Sequence, residues 1–113
     1  MDTNNIPERI IEHYNCYNIY IKENLFSDSQ TQQKDVLYFL NKNGLNRKDI
    51  YELLRYINLY DSEINEDNES KIGNILDALS GFCNIDDAQN YIRFSDDPIK
   101  EDAFLKYMGE IAY

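Results

Sequence analysis

Apolar side chains recur at intervals of three and four residues along most of the chain, which is the spacing of one face of an α-helix. The segment Cys16–Ile21 is rich in residues that favour strands, but one short strand would have no partner strand. The pattern is clearest where apolar residues occupy positions i, i+3, i+4 and i+7: Ile50, Leu53, Leu54 and Ile57. The pattern predicts helices at about 7–24, 31–43, 47–60, 85–94 and 98–111, with a further helix that ends before Gly81.

The turn between the second and third predicted helices has the most specific local pattern. Gly44 can adopt the left-handed backbone conformation that often follows the C-terminus of a helix. Asn46 can cap the next helix, because Asp49 lies three residues later in the capping-box position. Leu45 and Ile50 can then pack against each other as a hydrophobic staple. These features predict two amphipathic helices joined by a tight turn.

Capping residues also precede the other predicted helices. Because the connections are short and the chain has no repeat and no Gly/Ser-rich linker, we predict an all-α fold. It should be a compact bundle of about six helices, in which residues 1–113 form a single domain. The predicted caps are Ser29 with Gln32, Asp67 or Asn68, Asn84 with Asp87, and Asp97 followed by Pro98 as the first helical residue.

The charge of the chain is strongly asymmetric. Its 113 residues include 11 Lys and Arg against 21 Asp and Glu, for a net charge of −10. Residues 1–60 contain 7 basic and 8 acidic side chains, whereas residues 61–113 contain 4 basic and 13 acidic ones. Nucleic acid and anionic membrane attract an excess of Lys and Arg, so this charge disfavours both as partners. It favours a basic protein as the partner.

The sequence shows no targeting or membrane segment. No apolar run approaches the ~18 residues of a membrane span. The N-terminus also lacks the basic and apolar regions of a secretory signal. We therefore expect a cytoplasmic protein, in which Cys16 and Cys83 are buried thiols rather than a disulfide.

Basic side chains near the Gly44 turn superficially suggest a helix-turn-helix DNA-binding domain. In such a domain the segment after the second helix would enter the major groove. Here that segment is Asp61–Ser70, which contains five carboxylates. Phosphates would repel it, so a structural αα-hairpin explains the turn better. The basic residues concerned are Lys42, Arg47, Lys48 and Arg55.

No metal site, cofactor or enzymatic activity is predicted. Acidic and amide residues alternate in Asp61–Asp67 as at the start of an EF-hand loop, but the positions that need Gly and a bidentate Glu hold other residues. His13 and Cys16 lie one helical turn apart, yet a structural zinc needs four ligands and only Cys83 remains. A nucleophile would also need an orienting group and an oxyanion site, which no motif supplies.

Carboxylates and tyrosines remain as candidate functional groups. Tyrosine supplies wide contact area for few frozen torsions, and surrounding carboxylates raise the rate at which a basic partner associates. The other interpretation is that the tyrosines fill the core and the charge serves solubility. The predicted partner-binding residues are Asp61, Glu63, Glu66, Asp67, Glu69, Asp86, Asp87, Asp96, Asp97, Tyr51, Tyr56 and Tyr60.

A small, acidic, helical chain without catalytic motifs resembles the bacterial immunity proteins that neutralise nuclease toxins, including those of contact-dependent inhibition systems. The resemblance is one of overall character along the whole chain, and no residue role is carried over from it. It implies an antitoxin whose acidic half occludes the basic active site of a cognate toxin.

Two other functions stay open at this stage. A nucleic-acid mimic that inhibits a DNA-binding defence enzyme would place carboxylates in rows at phosphate-like intervals, whereas an immunity protein needs one patch. A helix-turn-helix-like regulator would bind DNA measurably at low salt.

Overall fold

The computed structural model describes residues 7–60, 65–80 and 94–111. Within these ranges the chain forms five helices and no strand, which confirms the predicted all-α fold. The helix predicted at 85–94 lies outside the described residues, apart from Phe94. The helices are α1 (Glu8–Leu25), α2 (Gln30–Lys42), α3 (Arg47–Tyr60), α4 (Glu66–Ser80) and α5 (Glu101–Ile111).

The turn between α2 and α3 has the predicted geometry. Gly44 has a φ of 96°, in the left-handed region that favours glycine. The Leu45 N–H donates to the Leu40 carbonyl at 3.2 Å, and the Gly44 N–H donates to the Asn41 carbonyl at 3.1 Å. These are the two hydrogen bonds of a Schellman motif, and they satisfy carbonyls that the end of a helix would leave unpaired.

The predicted capping box opens α3. Asn46 Oδ1 accepts from the Asp49 N–H at 2.8 Å, and Asp49 Oδ2 accepts from the Asn46 N–H at 3.0 Å. The other oxygen of Asp49 accepts from Arg9 Nη2 at 2.7 Å, which ties α3 to the first turn of α1. Leu45 and Ile50 are both buried, as a hydrophobic staple requires.

Helix α3 is the centre of the bundle, because it packs against each of the other four helices. The radius of gyration is 13.4 Å, against about 13 Å expected for a compact chain of this length. The apolar face of α3 is fully buried: Ile50, Leu53, Leu54 and Ile57. The rest of the main core comes from Ile10, Ile21, Leu25, Val36, Leu37, Leu40, Leu45, Ile72, Ile75, Leu79 and Phe94.

Helices α1 and α3 point in the same direction. Arg9 pairs with Asp49 near their N-termini, and the Tyr14 ring contacts the Tyr56 ring further along both helices. Short connections and direct packing place α2 and α4 in the opposite direction. One end of the bundle therefore holds the α1–α2 connection, the C-terminus of α3 and the N-terminus of α4. The other end holds the α2–α3 turn and the C-terminus of α4.

A buried ion pair lies at the end that holds the α2–α3 turn. Arg47, the first residue of α3, is completely buried. Its guanidinium donates to both oxygens of Asp97, from Nε to Oδ1 at 3.2 Å and from Nη2 to Oδ2 at 2.9 Å. Nη1 donates to the Leu79 carbonyl of α4 at 3.0 Å. A bidentate pair with a further hydrogen bond offsets much of the desolvation that burial of two charges requires.

Two aromatic rings complete the surroundings of this pair. The Arg47 guanidinium carbon lies 5.2 Å from the centroid of the Phe94 ring and 4.8 Å from that of Phe104. Asp97 Oδ2 also accepts from the Phe94 N–H at 2.8 Å. We call Arg47, Leu79, Phe94, Asp97 and Phe104 the Arg47 clasp. It joins α3, α4, α5 and the segment that precedes α5.

The clasp corrects two expectations for Asp97. The last helix was predicted to begin at Pro98 with Asp97 as its cap, but α5 begins at Glu101. The carboxylate of Asp97 binds Arg47 and the Phe94 N–H instead, so it does not cap the following helix. Asp97 is also buried, which removes it from the surface where a partner was expected to contact it.

Helix α1 differs from prediction around its middle. The spacing of apolar residues predicts an uninterrupted helix at about 7–24, but the Tyr17 backbone is not helical (φ −123°, ψ 19°) and its side chain is 38% exposed. Cys16 is exposed, so the prediction of a buried thiol is wrong for this residue. Cys83 lies outside the described residues.

Loss of one member of the buried pair should strongly destabilise the fold. Asp97→Ala leaves the Arg47 charge buried without its carboxylate, so we expect the free energy of unfolding to fall by about 3–5 kcal/mol. Asp96→Ala is the matched control, because Asp96 is exposed and accepts a hydrogen bond from Asn41. The control should lose about 1 kcal/mol or less.

Urea unfolding, monitored by circular dichroism, gives the free energy of unfolding of both variants. A double replacement, Arg47→Met with Asp97→Leu, should recover most of the loss, because it removes both charges together. Equal stability of Asp97→Ala and Asp96→Ala would contradict the buried pair.

Glycine should contribute more to the stability of the fold at position 44 than at position 73. Gly44→Ala places a Cβ in the left-handed region, so we expect a loss of about 1–2 kcal/mol. Gly73 lies inside α4, and a Cβ there would meet no atom within 4 Å. Gly73→Ala should therefore stabilise the protein by about 0.5–1 kcal/mol. Thermal unfolding of the two variants compares them directly, and effects of the same sign would count against the turn geometry.

Candidate protein-binding surface

Three of the predicted partner-binding carboxylates lie on the first turn of α4. Glu66, Asp67 and Glu69 are all exposed. The helix is capped by Asn65, whose Oδ1 accepts from the Asn68 N–H at 2.8 Å, and not by the predicted Asp67 or Asn68. Carboxylates in this turn also complement the positive end of the helix dipole, which gives them a structural role besides any role in binding.

A fourth carboxylate joins them from the α1–α2 connection. Lys71 Nζ lies 2.9 Å from Asp28 Oδ1 and 3.0 Å from Asp67 Oδ2, and it donates to the Phe26 carbonyl at 2.9 Å. Hydrogen bonds to Asp28 and then to Asp67 raise the pKa of Lys71 above its ordinary value. The side chains of Asp28 and Asp67 are 97% and 75% exposed. Lys71 therefore remains charged and neutralises only part of the local negative charge.

We call Asp28, Glu66, Asp67 and Glu69 the acidic cluster. Asp28 and Asp67 contact the Lys71 ammonium, and Glu66 and Glu69 lie on the same helical turn as Asp67, so the four carboxylates and Lys71 together carry a formal charge of −3. Asp28 was not among the predicted residues. It comes from the part of the chain with nearly balanced charge, and only the antiparallel arrangement of α1, α2, α3 and α4 brings it to α4.

Exposed apolar side chains lie at the same end of the bundle. Tyr60, the last residue of α3, is 42% exposed, and Leu59 beside it is 53% exposed. The five residues between α3 and α4 span at most about 20 Å. Tyr60 belongs to a row of rings, since its centroid lies 5.3 Å from that of Tyr56, which lies 5.5 Å from that of Tyr14. The row restrains the Tyr60 ring at the end of the bundle that also holds the acidic cluster.

The other two predicted tyrosines are less available. Tyr56 is half-buried between the rings of Tyr14 and Tyr60. Tyr51 is also half-buried, with the Arg55 guanidinium 5.9 Å from its ring centroid. It lies nine residues before Tyr60, about 13 Å along the axis of α3.

The remaining predicted residues do not extend this surface. Asp96 is exposed, but its carboxylate accepts from Asn41 Nδ2 in the last turn of α2, at the end that holds the Arg47 clasp. Asp97 is buried in the clasp. The described carboxylates of the second half therefore do not form one continuous face. Four further predicted residues lie outside the described part of the chain: Asp61, Glu63, Asp86 and Asp87.

The structure also describes residues that the sequence suggested for contact with DNA or for metal binding. Arg47 is one of the four basic residues that would suit contact with DNA, and its burial makes it unavailable to phosphate. His13 Nδ1 lies 3.1 Å from the Arg9 carbonyl oxygen, within its own helix. Within residues 7–60, 65–80 and 94–111, no group of three His, Cys, Asp or Glu side chains is placed to hold a metal ion. No helix in those ranges is long and apolar enough to cross a membrane.

Comparisons of the chain with family models, with curated proteins and with solved structures give no significant match. The function must therefore be inferred from the surface of the protein.

Proposed function

We propose that this protein binds a basic protein and blocks its action, as an immunity protein does when it covers the basic active site of a nuclease toxin. One observation carries the proposal. The acidic cluster lies at the same end of the bundle as two exposed apolar side chains, Leu59 and Tyr60. No covalent chemistry is required of the protein in this role.

Electrostatic attraction accounts for the speed of binding. The acidic cluster has four carboxylates, and Lys71 pairs with only two of them, so the remaining negative potential attracts a basic surface as it diffuses towards the protein. The net charge of −10 adds to this field over the whole molecule. Salt should therefore slow association, because ions screen exposed charges over about 10 Å at 0.1 M.

Electrostatics alone does not supply tight binding. A nanomolar complex requires about −12 kcal/mol, whereas an exposed ion pair contributes about 0–1 kcal/mol. Burial of aromatic and aliphatic side chains must provide most of the remainder. Tyr60 offers such area with little loss of side-chain freedom, since the Tyr56 ring already restrains it.

A nucleic-acid mimic remains the second candidate, and the distribution of charge favours the immunity-type inhibitor over it. A mimic needs carboxylates in rows that follow a phosphate backbone. Within the described residues, the acidic cluster combines the first turn of α4 with Asp28, which Lys71 joins to Asp67, and Asp96 lies at the other end of the bundle. One patch suits the docking of a basic protein domain.

An immunity protein is expected to be encoded beside its toxin, so the partner to test is the protein encoded by the neighbouring gene. Reversal of charge in the acidic cluster should slow association with that protein. The test variant is Glu66→Lys with Glu69→Lys. The matched control is Asp77→Lys with Asp102→Lys, because both residues are exposed and lie towards the Arg47 clasp. Surface plasmon resonance should give about a 10-fold lower association rate for the test variant at low salt. Lys71→Gln should raise that rate, since it removes the positive charge inside the cluster.

The comparison between the two double variants decides the result, because their net charges are equal. A similar reduction in both would mean that total charge, and not this surface, governs association. No binding of the neighbouring gene product by the wild-type chain at low salt would count against the proposal.

A further inference from the structure

The interruption in α1 presents an apolar surface that the core does not use. Ile19 is 69% exposed, Tyr20 is 39% exposed and Tyr17 is 38% exposed. All three lie within four residues of each other at the point where the helix departs from regular geometry. We call Tyr17, Ile19 and Tyr20 the α1 patch.

Phe39 of α2 restrains both tyrosine rings of the α1 patch. The Tyr17 ring meets the Phe39 ring edge to face, with centroids 5.2 Å apart. The Tyr20 centroid lies 4.8 Å from the same ring, and Phe39 itself packs against the core. Rings that are already restrained lose little freedom when a partner covers them, which favours their use in binding.

A shallow depression runs along the α1 patch. Two amide side chains, Asn15 and Asn18, line it together with the patch residues. Glu23 is the only charged residue among the described residues that line this depression. The site therefore combines aromatic faces, an aliphatic side chain, neutral hydrogen-bonding groups and one carboxylate.

We propose that the depression receives an arginine side chain of the basic partner, an inference that rests on the proposed function. A guanidinium stacks on tyrosine rings and forms two parallel hydrogen bonds to a carboxylate, here Glu23. The methylene stem of the same side chain covers Ile19. A neutral apolar occupant would leave the Glu23 carboxylate covered and unpaired, and a second copy of this chain would bring two like charges together.

The position of Glu23 connects the α1 patch with the acidic cluster. Glu23 lies three residues before Phe26, about 4.5 Å along the helix axis. The Phe26 carbonyl accepts from Lys71, the lysine at the centre of the acidic cluster. A basic partner can thus contact both surfaces at once, with the cluster attracting it and the α1 patch retaining it.

A short peptide probe tests this site on the full chain. The probe is the blocked peptide acetyl-Gly-Arg-Leu-Arg-Gly-amide, and its control carries citrulline, the neutral isostere, in place of both arginines. Heteronuclear NMR should show saturable shift changes in the amides of residues 15–20 and 23 with the arginine peptide, and at least five-fold weaker binding of the citrulline peptide. Alkylation of the Cys16 thiol, followed by mass spectrometry, should slow several-fold when the arginine peptide is present, because Cys16 lines the same depression.

Variants assign the effect to particular side chains. Glu23→Gln and Tyr20→Ala should each weaken the arginine peptide several-fold, whereas Glu12→Gln, an exposed position on α1 that does not line the depression, should not. Equal binding of the two peptides, or shift changes confined to the acidic cluster, would overturn the assignment.

The neighbouring gene product separates failure of this inference from failure of the proposed function. Ile19→Ala with Tyr20→Ala should raise the dissociation rate about 10-fold or more, while leaving the association rate within about two-fold. If dissociation is unchanged but reversal at Glu66 and Glu69 still slows association, the α1 patch is not the contact and the proposed function stands. If the wild-type chain does not bind that protein at all, both this inference and the proposed function are wrong.

Discussion

Burial of the Arg47 guanidinium is the constraint on which the rest of the structure depends. A charged group with no exposure requires its carboxylate, a carbonyl and packed rings at the same time, and these come from three different parts of the chain. The N-terminus of α3, the C-terminus of α4 and the segment before α5 must therefore assemble together. This requirement makes one end of the bundle cooperative and leaves no carboxylate of the clasp for binding.

The opposite end of the bundle has a different character. There the charged groups are exposed, and the lysine that bridges Asp28 and Asp67 remains outnumbered by carboxylates. Exposed pairs of this kind contribute little to stability, so the acidic cluster can change with little effect on the fold. The Arg47 clasp and the acidic cluster lie at opposite ends of the bundle. Residues of the cluster can therefore be substituted while the core stays intact.

Local and distant interactions differ in how far the sequence predicts them. The Gly44 turn and the capping box of α3 could be predicted because every partner lies within five residues. The pair of Arg47 with Asp97 joins residues 50 positions apart, and it overrides the local Asp-Pro signal for the start of the last helix. Asp28 reaches the acidic cluster only through helix packing, and no Pro or Gly marks the interruption of α1 at Tyr17. Cys16 lies away from the face of α1 that Ile10, Ile21 and Leu25 bury, which agrees with its exposure.

Hydrogen exchange of the chain with and without the neighbouring gene product shows which end of the bundle binds, because it reports on both ends in one experiment. We expect slower exchange on binding in residues 17–29, at the C-terminus of α3 and in the first turns of α4. Amides at the N-terminus of α3 and in residues 94–111 should exchange as in the free protein. Protection centred on the Arg47 clasp, with the acidic cluster and the α1 patch unchanged, would mean that the partner binds the opposite end of the bundle.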